Sequence, residues 1–326
     1  MPPTSMQDAS EPLPDIAPAP GVPPGPPLAP AGGLPTDPPP GLPPGLTLVA
    51  TPIGNLDDLS ARALAALRGA DAVLCEDTRV TSKLLARHGI SATLWPLHDH
   101  NEEARLPDLV ARLHNGARLA LVSDAGTPLV SDPGYRLVRA VIAAGLAVHA
   151  IPGANAAVMA LTLSGLPPHP FLFLGFLPAR TGPRQAELAR LKAMEQAGLS
   201  ATLIFYEAPH RAAETLAALA TALGPDRPAA LARELTKRFE EVRRGTLATL
   251  LEGALADPPR GEVVLLAGPP PADAHGTASL DEALLAAMGS MSLRDAAAVV
   301  AVGHGLPRKS VYARALELAA QNPRAD

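Results

Sequence analysis

From residue 46 onward, short apolar runs alternate with stretches of helical periodicity, and few architectures satisfy that alternation. Runs that read as strands fall at 47–51, 72–76, 92–95, 119–123 and 147–151. Between them, residues 60–67, 82–88, 103–114 and 135–144 space their apolar side chains as helices do. Several of these stretches end at a glycine that can adopt the left-handed cap conformation. Strand, helix, strand in succession demands a crossover each time, which predicts a parallel sheet with helices on both faces. A second series begins after Pro167-Pro168, with strands at 171–175, 202–206, 229–233 and 263–267 and helices at 184–195, 211–223 and 247–255; it predicts a second α/β domain. Residues 268–278 are rich in Pro, Ala and Gly, and beyond them 280–320 read as helix in three pieces, broken at Gly289 and at 303–307. No internal repeat of fixed period is present. The expected organisation is a tail at 1–45, α/β domains at 46–167 and 168–270, and a helical appendage at 279–320.

The tail stands apart because it holds 17 of the 38 prolines and no periodic apolar pattern that could offset the entropy of ordering it, so it reads as disordered. Its charged residues, Asp8, Glu11, Asp15 and Asp37, are all acidic. The net charge of −5 therefore reduces to 27 basic against 28 acidic residues in the rest of the chain. A body so close to neutral does not attract polyanions indiscriminately, and any nucleic-acid contact has to come from local patches and shape. With 326 residues, 47% of them hydrophobic and only 3% aromatic, the chain can build two cores from Ala, Leu and Val. No run reaches the roughly 18 apolar residues needed to cross a bilayer, and no basic region precedes an apolar stretch at the start, so a cytoplasmic protein without a membrane partner is expected. The single cysteine excludes a disulfide within the chain. In Asp71-Ala-Val-Leu-Cys-Glu76, Cys75 reads as a small core residue.

Open parallel sheets bind ligands beyond the carboxyl ends of their strands. Three loops expected there are unusual: Thr51-Pro-Ile-Gly-Asn55 after the first strand, Ser123-Asp-Ala-Gly-Thr-Pro128 running into Ser131-Asp-Pro-Gly134 after the fourth, and Ile151-Pro-Gly-Ala-Asn155 after the fifth. Pro and Gly with short polar side chains fix tight turns and let bare backbone approach a ligand. One such loop could be an ordinary connection, but three at one sheet edge point to a small-molecule site. Neither the G-x-G-x-x-G turn nor the G-x-x-x-x-G-K-[ST] loop occurs, which disfavours the usual pyrophosphate cradles. No Cys/His set has zinc spacing. His98 and His100 in His98-Asp-His-Asn-Glu102 could chelate, but Asp99 or Asn101 there also suit a helix cap, and no metal is expected.

Several motifs together carry a family resemblance. They are Thr51-Pro-Ile-Gly-Asn-Leu56, Glu76-Asp-Thr-Arg79, His98-Asp-His-Asn-Glu102, Leu121-Val-Ser-Asp-Ala-Gly-Thr-Pro128, Asp132-Pro-Gly134, Leu203-Ile-Phe-Tyr-Glu207 with His210-Arg211, and Ala232-Arg-Glu-Leu-Thr-Lys237. In this order and spacing the chain, from residue 46 to the C-terminal helices, resembles the small-subunit ribosomal RNA ribose methyltransferases of the tetrapyrrole methylase superfamily. The resemblance implies two α/β domains of the tetrapyrrole methylase fold with S-adenosyl-L-methionine in the cleft between them, a helix-turn-helix-like appendage, and a homodimer. It implies that the reaction methylates the ribose 2′-oxygen of a decoding-site cytidine of 16S rRNA, within the small ribosomal subunit. Carried over by position, Pro52, Gly54 and the backbone of Ala125-Gly126-Thr127 would line the methionine and ribose side, with Val130 beside them. Asn155 and Ala156 would follow the fifth strand into the site, and Glu207 and Ala232 would meet the adenosine. Where the family often has Pro-Gly-Pro this chain has Pro152-Gly-Ala-Asn155, so for Asn155 the resemblance carries a location rather than a side-chain role.

Methyl transfer from a sulfonium depends first on holding the nucleophilic oxygen in line. A ribose hydroxyl also needs a group to take its proton. Asp77, Asp99, His98, His100 and, if burial and nearby arginines lower its pKa, Lys237 are the candidates, and the sequence does not choose among them. Arg79 suits either a clamp on an RNA phosphate or a salt bridge to Glu76 or Asp77. In 303–316, His304, Arg308, Lys309 and Arg314 occur with no acid, which fits an RNA contact. Three rival readings stay open: a C-methyltransferase acting on a tetrapyrrole, an enzyme like diphthine synthase acting on a protein, and a ribosome-assembly factor without catalysis. Glu76–Arg79, His98–Glu102 and the appendage associate the chain with the RNA branch.

Overall fold

The computed structural model describes residues 42–271 and 277–321. Residues 1–41, most of the expected tail, lie outside it. The first domain reaches a few residues ahead of the expected boundary: Leu42 is buried against the first core, and Gly45 opens strand β1 (Gly45–Val49).

β1 joins β2 (Ala72–Cys75), β3 (Leu94–Pro96), β4 (Arg118–Val122) and β5 (Val148–Ile151) in an all-parallel sheet of order β3-β2-β4-β1-β5. Alternation along the strands sends side chains to two separate layers. Val49, Val73, Cys75 and Val122 pack with Leu67, Leu84 and Leu85 from helices α1 (Ala61–Gly69) and α2 (Thr78–Arg87). Leu46, Leu74, Leu119 and Leu121 pack on the other face with Leu109, Leu113, Leu137 and Val141 from α3 (Glu102–His114) and α4 (Tyr135–Ala143). Cys75 is thus a core residue, and burial pushes its thiol pKa up. Polar side chains fix the helix starts: Ser60 accepts from the Ala63 N–H and Asp77 from the Arg79 N–H.

The second sheet has β6 (Phe171–Phe176), β7 (Thr202–Glu207), β10 (Val263–Ala267), β8 (Pro228–Arg233) and β9 (Glu241–Thr246), in that order. Only β6 and β7 run parallel; the other neighbours are antiparallel. Leu203, Phe205, Leu231 and Leu265 face α6 (Thr181–Gln196), α7 (Ala212–Leu223) and α8 (Leu247–Ala256). The opposite face, with Ile204, Ala230, Ala232, Val264 and Leu266, is covered by a helix that the sequence pattern did not show, α5 (Ala156–Ser164), and by Ile53 from the loop after β1. The helix following the fifth strand of one sheet therefore closes the other sheet. Asn155 starts it by accepting from the Val158 N–H.

The C-terminal pieces are α9 (Thr277–Met288), α10 (Leu293–His304) and α11 (Arg308–Gln321), broken at Gly289 as expected and, within the expected 303–307, only after His304, since α10 continues through Gly303. Leu284, Val300, Val311, Ala315 and Leu318 give them a core of their own.

Candidate functional site

The three glycine-bearing loops meet at one end of the first sheet. Thr51 and Gly126 exchange backbone hydrogen bonds of 2.9 and 3.1 Å, the Thr51 hydroxyl donates to the Ser123 carbonyl (3.1 Å), and the Thr127 hydroxyl donates to the Ala154 carbonyl (3.0 Å). Gly126 has φ +82°, where L side chains are strained, and a Cβ there would stand 3.2 Å from Ile53 Cγ2. Leu129 and Ser131 in the same loop also have positive φ, 72° and 71°, although neither is glycine.

These loops form one wall of a cavity of about 390 Å³. The other wall comes from the second sheet: Phe176 at the end of β6, Tyr206 to Pro209 at the end of β7, and Gly261 to Val264 at the start of β10. The volume lies within the roughly 300–1,000 Å³ of small-molecule sites, and both walls pair apolar surface with a few polar groups.

Of the residues expected at a cofactor, Ala125, Gly126, Thr127, Val130, Asn155, Ala156 and Glu207 line this cavity. Pro52, Gly54 and Ala232 do not. Pro52 is buried in the loop after β1, and Ala232 is buried on β8, in the core behind the cavity. Gly54 seats the first loop on the second lobe: a Cβ there would clash with Lys237 Cγ, and the neighbouring Asn55 N–H donates to Thr236 Oγ1. The Glu207 carboxylate is fully engaged, accepting from Thr215 Oγ1 (2.6 Å) and the Ala208 N–H (2.8 Å) beside Arg211.

The groups expected to handle the proton or phosphate all stand outside the lining. Asp77 caps α2 and is gripped by Arg79 through Nε (3.0 Å) and Nη2 (2.6 Å), which holds its carboxyl down at about 2. Arg79 therefore makes the salt bridge, while its side chain stays 86% exposed. His98 and Asp99 lie in the turn before α3, next to Glu76. There the Asn101 side chain accepts from the His98 N–H, His98 and His100 rings meet edge to face at 6.0 Å, and His98 Nδ1 is buried without a partner. Glu102 reaches across to accept from the Leu137 N–H in the first turn of α4, so Glu102 serves that helix. The condition attached to Lys237, a pKa lowered by burial and nearby arginines, is not met. Burial works to lower it, but hydrogen bonds to Glu234 (2.8 Å) and Glu262 (3.0 Å) outweigh burial and raise it. Among the described residues no three His, Cys, Asp or Glu side chains gather as a metal site.

Besides Glu207, the cavity wall presents the carboxylates of Asp124, Asp132 and Glu262, the last of which accepts from Lys237. Asp124 accepts from the Asp77 N–H (3.1 Å), and burial raises its pKa. Asp132 is half-buried, and burial first, then the nearby Glu76 and Asp124 carboxylates, push it up to about 6. Asp132 was visible in Ser131-Asp-Pro-Gly134, but the Glu76 carboxylate that stands near it comes from just after β2, 56 residues earlier in the chain.

The family model described as Tetrapyrrole (Corrin/Porphyrin) Methylases matches residues 45–251, and the one described as RsmI C-terminal HTH domain matches 274–319. A protein of Mesorhizobium japonicum named "Ribosomal RNA small subunit methyltransferase I" is 50% identical over 85% of this chain and 93% of its own length. Proteins of the same name from Erythrobacter litoralis and Escherichia coli O157:H7 are 50% and 42% identical, over 85% and 83% of this chain and 96% and 94% of theirs. Among solved structures, a diphthine synthase matches with TM-score 0.53 at 18% identity, over 68% of this chain and 89% of that one. A conserved hypothetical protein from Aeropyrum pernix K1 matches with TM-score 0.53 at 19% identity, over 86% and 98%. These two likenesses speak for the fold alone.

Proposed function

The chain belongs to the ribosomal RNA small subunit methyltransferase I family of the tetrapyrrole methylases, and from that premise we propose that it methylates the ribose 2′-oxygen of a decoding-site cytidine in 16S rRNA. It is an S-adenosylmethionine-dependent methyltransferase. The observation that supports the site assignment is the cavity between the two sheets, whose first wall is the loop holding Gly126 at φ +82°. Bare backbone at that point suits close approach by the amino-acid and ribose parts of the cofactor. When bound, the cofactor supplies a methyl group already activated on a positively charged sulfur.

The chain's own part is to bind, orient and remove a proton. The knitted loops and the β7 and β10 wall hold the donor at the carboxyl ends of β1, β4 and β5. Asp132 is the carboxylate in the cavity best suited to accept the ribose hydroxyl proton. A base near pH 6 is mostly ionised at neutral pH yet stronger than an ordinary aspartate. Asp77, held at about 2 and locked to Arg79, is a poor acceptor. Lys237, a firmly held ammonium, positions Glu234 and Glu262 instead.

The substrate in this reading is RNA within the small ribosomal subunit, and the enzyme works in the cytoplasm as a homodimer. No described helix is long and apolar enough to cross a membrane. The appendage contributes Arg308 and Lys309, which are exposed, whereas Arg314 is engaged by Asp281 and Glu317. The test offers methyl-labelled S-adenosylmethionine with assembled small subunits, naked small-subunit RNA, or a tetrapyrrole precursor. Label in one cytidine ribose of the small subunit is the expected result. Label in the tetrapyrrole, or on a base carbon, would overturn the reading.

A further inference from the structure

At the mouth of the cavity an aromatic ring is held partly in solvent. β6 pairs with β7 in regular register from Phe171↔Thr202 to Phe173↔Ile204, then slips so that Phe176 faces Tyr206. The slip adds one residue to β6, and Gly175, at φ +63°, lies within it. A bulge of this kind re-aims the side chain that follows it. The bulge also lies close to the loop that bears Asp132, since a Cβ on Gly175 would stand 3.3 Å from Ser131 Oγ. Phe176 consequently lines the cavity while remaining 56% exposed. Its orientation is fixed from one side by Tyr206, whose ring meets it at 5.7 Å and 62° and is itself backed by Phe173 at 4.8 Å.

We propose that Phe176 is the platform on which the base of the target nucleotide stacks once that nucleotide has been swung out of the RNA. The inference rests on the ribose-methylation reading above. A 2′-hydroxyl brought to the depth of Asp132 carries its base with it, and a base still stacked between its neighbours would keep the ribose outside. Enzymes that do chemistry on a base swing its nucleotide out of the stack, and proteins that take up single-stranded RNA hold unstacked bases against aromatic rings. A phenylalanine has no donor or acceptor, so this contact positions any base and leaves the choice of cytosine to other groups.

The test compares Phe176→Ala, Phe176→Leu and Phe176→Tyr with the unaltered enzyme. It measures affinity for S-adenosylhomocysteine by calorimetry and single-turnover methylation of small subunits across a range of subunit concentrations. Stacking contacts of this type predict a roughly five- to 150-fold loss in rate at low subunit concentration for Ala and Leu. Tyr should stay within about threefold of the unaltered enzyme. S-adenosylhomocysteine affinity and melting temperature should not change. If Leu performs like Phe, the contact is merely apolar and the proposal fails. If cofactor affinity falls in step with the rate, the ring serves the adenine and the proposal again fails. In both cases methylation by the unaltered enzyme shows that the broader reading survives. Loss of ribose methylation by the unaltered enzyme would sink both.

Discussion

Thr51 and Gly126, 75 residues apart in sequence, exchange a reciprocal pair of backbone hydrogen bonds and so weld the loop after β1 to the loop after β4. The weld leaves Gly126 at positive φ, facing Ile53 on one side and the cavity on the other. A side chain there is strained by roughly 1–2 kcal/mol before any contact is counted. Gly126→Ala should therefore weaken S-adenosylhomocysteine binding at least tenfold and lower the melting temperature by only a few degrees. Unchanged affinity by calorimetry in a folded variant would remove this loop from the cofactor site.

Asp132 should set the acid limb of the pH–rate profile. Its pKa is raised to about 6, so the accepting carboxylate is lost as pH falls through that value, and single-turnover rates should drop about tenfold per unit below it. Asp132→Asn should slow the reaction by roughly 10²–10⁴ and abolish that limb. The same shift has a stability consequence of fixed sign. A carboxyl raised in the folded state binds a proton more readily there than in the unfolded chain. Folding is therefore favoured below about pH 4 relative to above pH 6, and its ionisation costs stability at neutral pH. Asp132→Asn should raise the melting temperature at pH 8 relative to the unaltered enzyme, with little gain at pH 4. A limb that persists in the Asn variant would assign the base elsewhere.

The parts of this site that the sequence displays are those encoded locally. Gly and Pro with short polar side chains directly after an apolar run marked the loops holding Gly126 and Asn155 without any tertiary knowledge. α5 escaped because Ala156–Ser164 is apolar nearly all round and shows no amphipathic period. β9 escaped because Glu241–Thr246 has no apolar alternation; it is an edge strand laced by Arg233, Glu241, Arg243 and Asp257. The functions of individual side chains were hidden for a related reason. What distinguishes Asp132 is the company of Glu76 and Asp124, and what turns Phe176 into the cavity is a one-residue slip against β7. Asp77 and Lys237 looked reactive in isolation, and it is Arg79, Glu234 and Glu262 that neutralise them.

Lys237 should prove structural. Its hydrogen bonds raise its pKa, so its contribution to stability is present at and below neutral pH and fades only as pH climbs past about 10. Lys237→Gln should lower the melting temperature by a few degrees and keep the acid limb of the rate profile in place. A maximal rate reduced by more than about a hundredfold, with S-adenosylhomocysteine binding intact, would restore it as a proton acceptor.

The second lobe holds a pair whose loss should be costly. Arg227 and Glu195 are both almost fully buried, joined by hydrogen bonds of 2.5 and 3.3 Å, and Arg227 Nε also donates to the Gly268 carbonyl. Glu195→Ala strands a buried guanidinium and should cost about 3–5 kcal/mol. Replacing both residues with apolar ones of similar volume should recover a large part of that. Denaturant titration of the two variants distinguishes a buried ion pair from an incidental one. Equal stability of Glu195→Ala and the unaltered protein would show that water reaches Arg227.

The appendage offers the sharpest division of labour. Its core of Leu284, Val300, Val311 and Leu318 is internal to the three helices, so it can be altered without reaching the cavity. Of the basic residues in 303–316, Arg314 is spent on Asp281 and Glu317, which leaves Arg308 and Lys309 at the exposed start of α11 as the cations able to meet phosphate. Each phosphate contact adds about 0.7–0.9 to the slope of log affinity against log salt. Substituting both residues by Ala in the full chain should therefore flatten that slope by about 1.5 for small subunits. KM should rise, while S-adenosylhomocysteine affinity and the rate at saturating subunits stay within about twofold. A chain ending at Pro271 should show the same pattern more strongly. If the double substitution leaves the salt slope unchanged, phosphate is met elsewhere on the body. If the shortened chain loses the cofactor, the appendage braces the fold, and its charges are incidental to RNA.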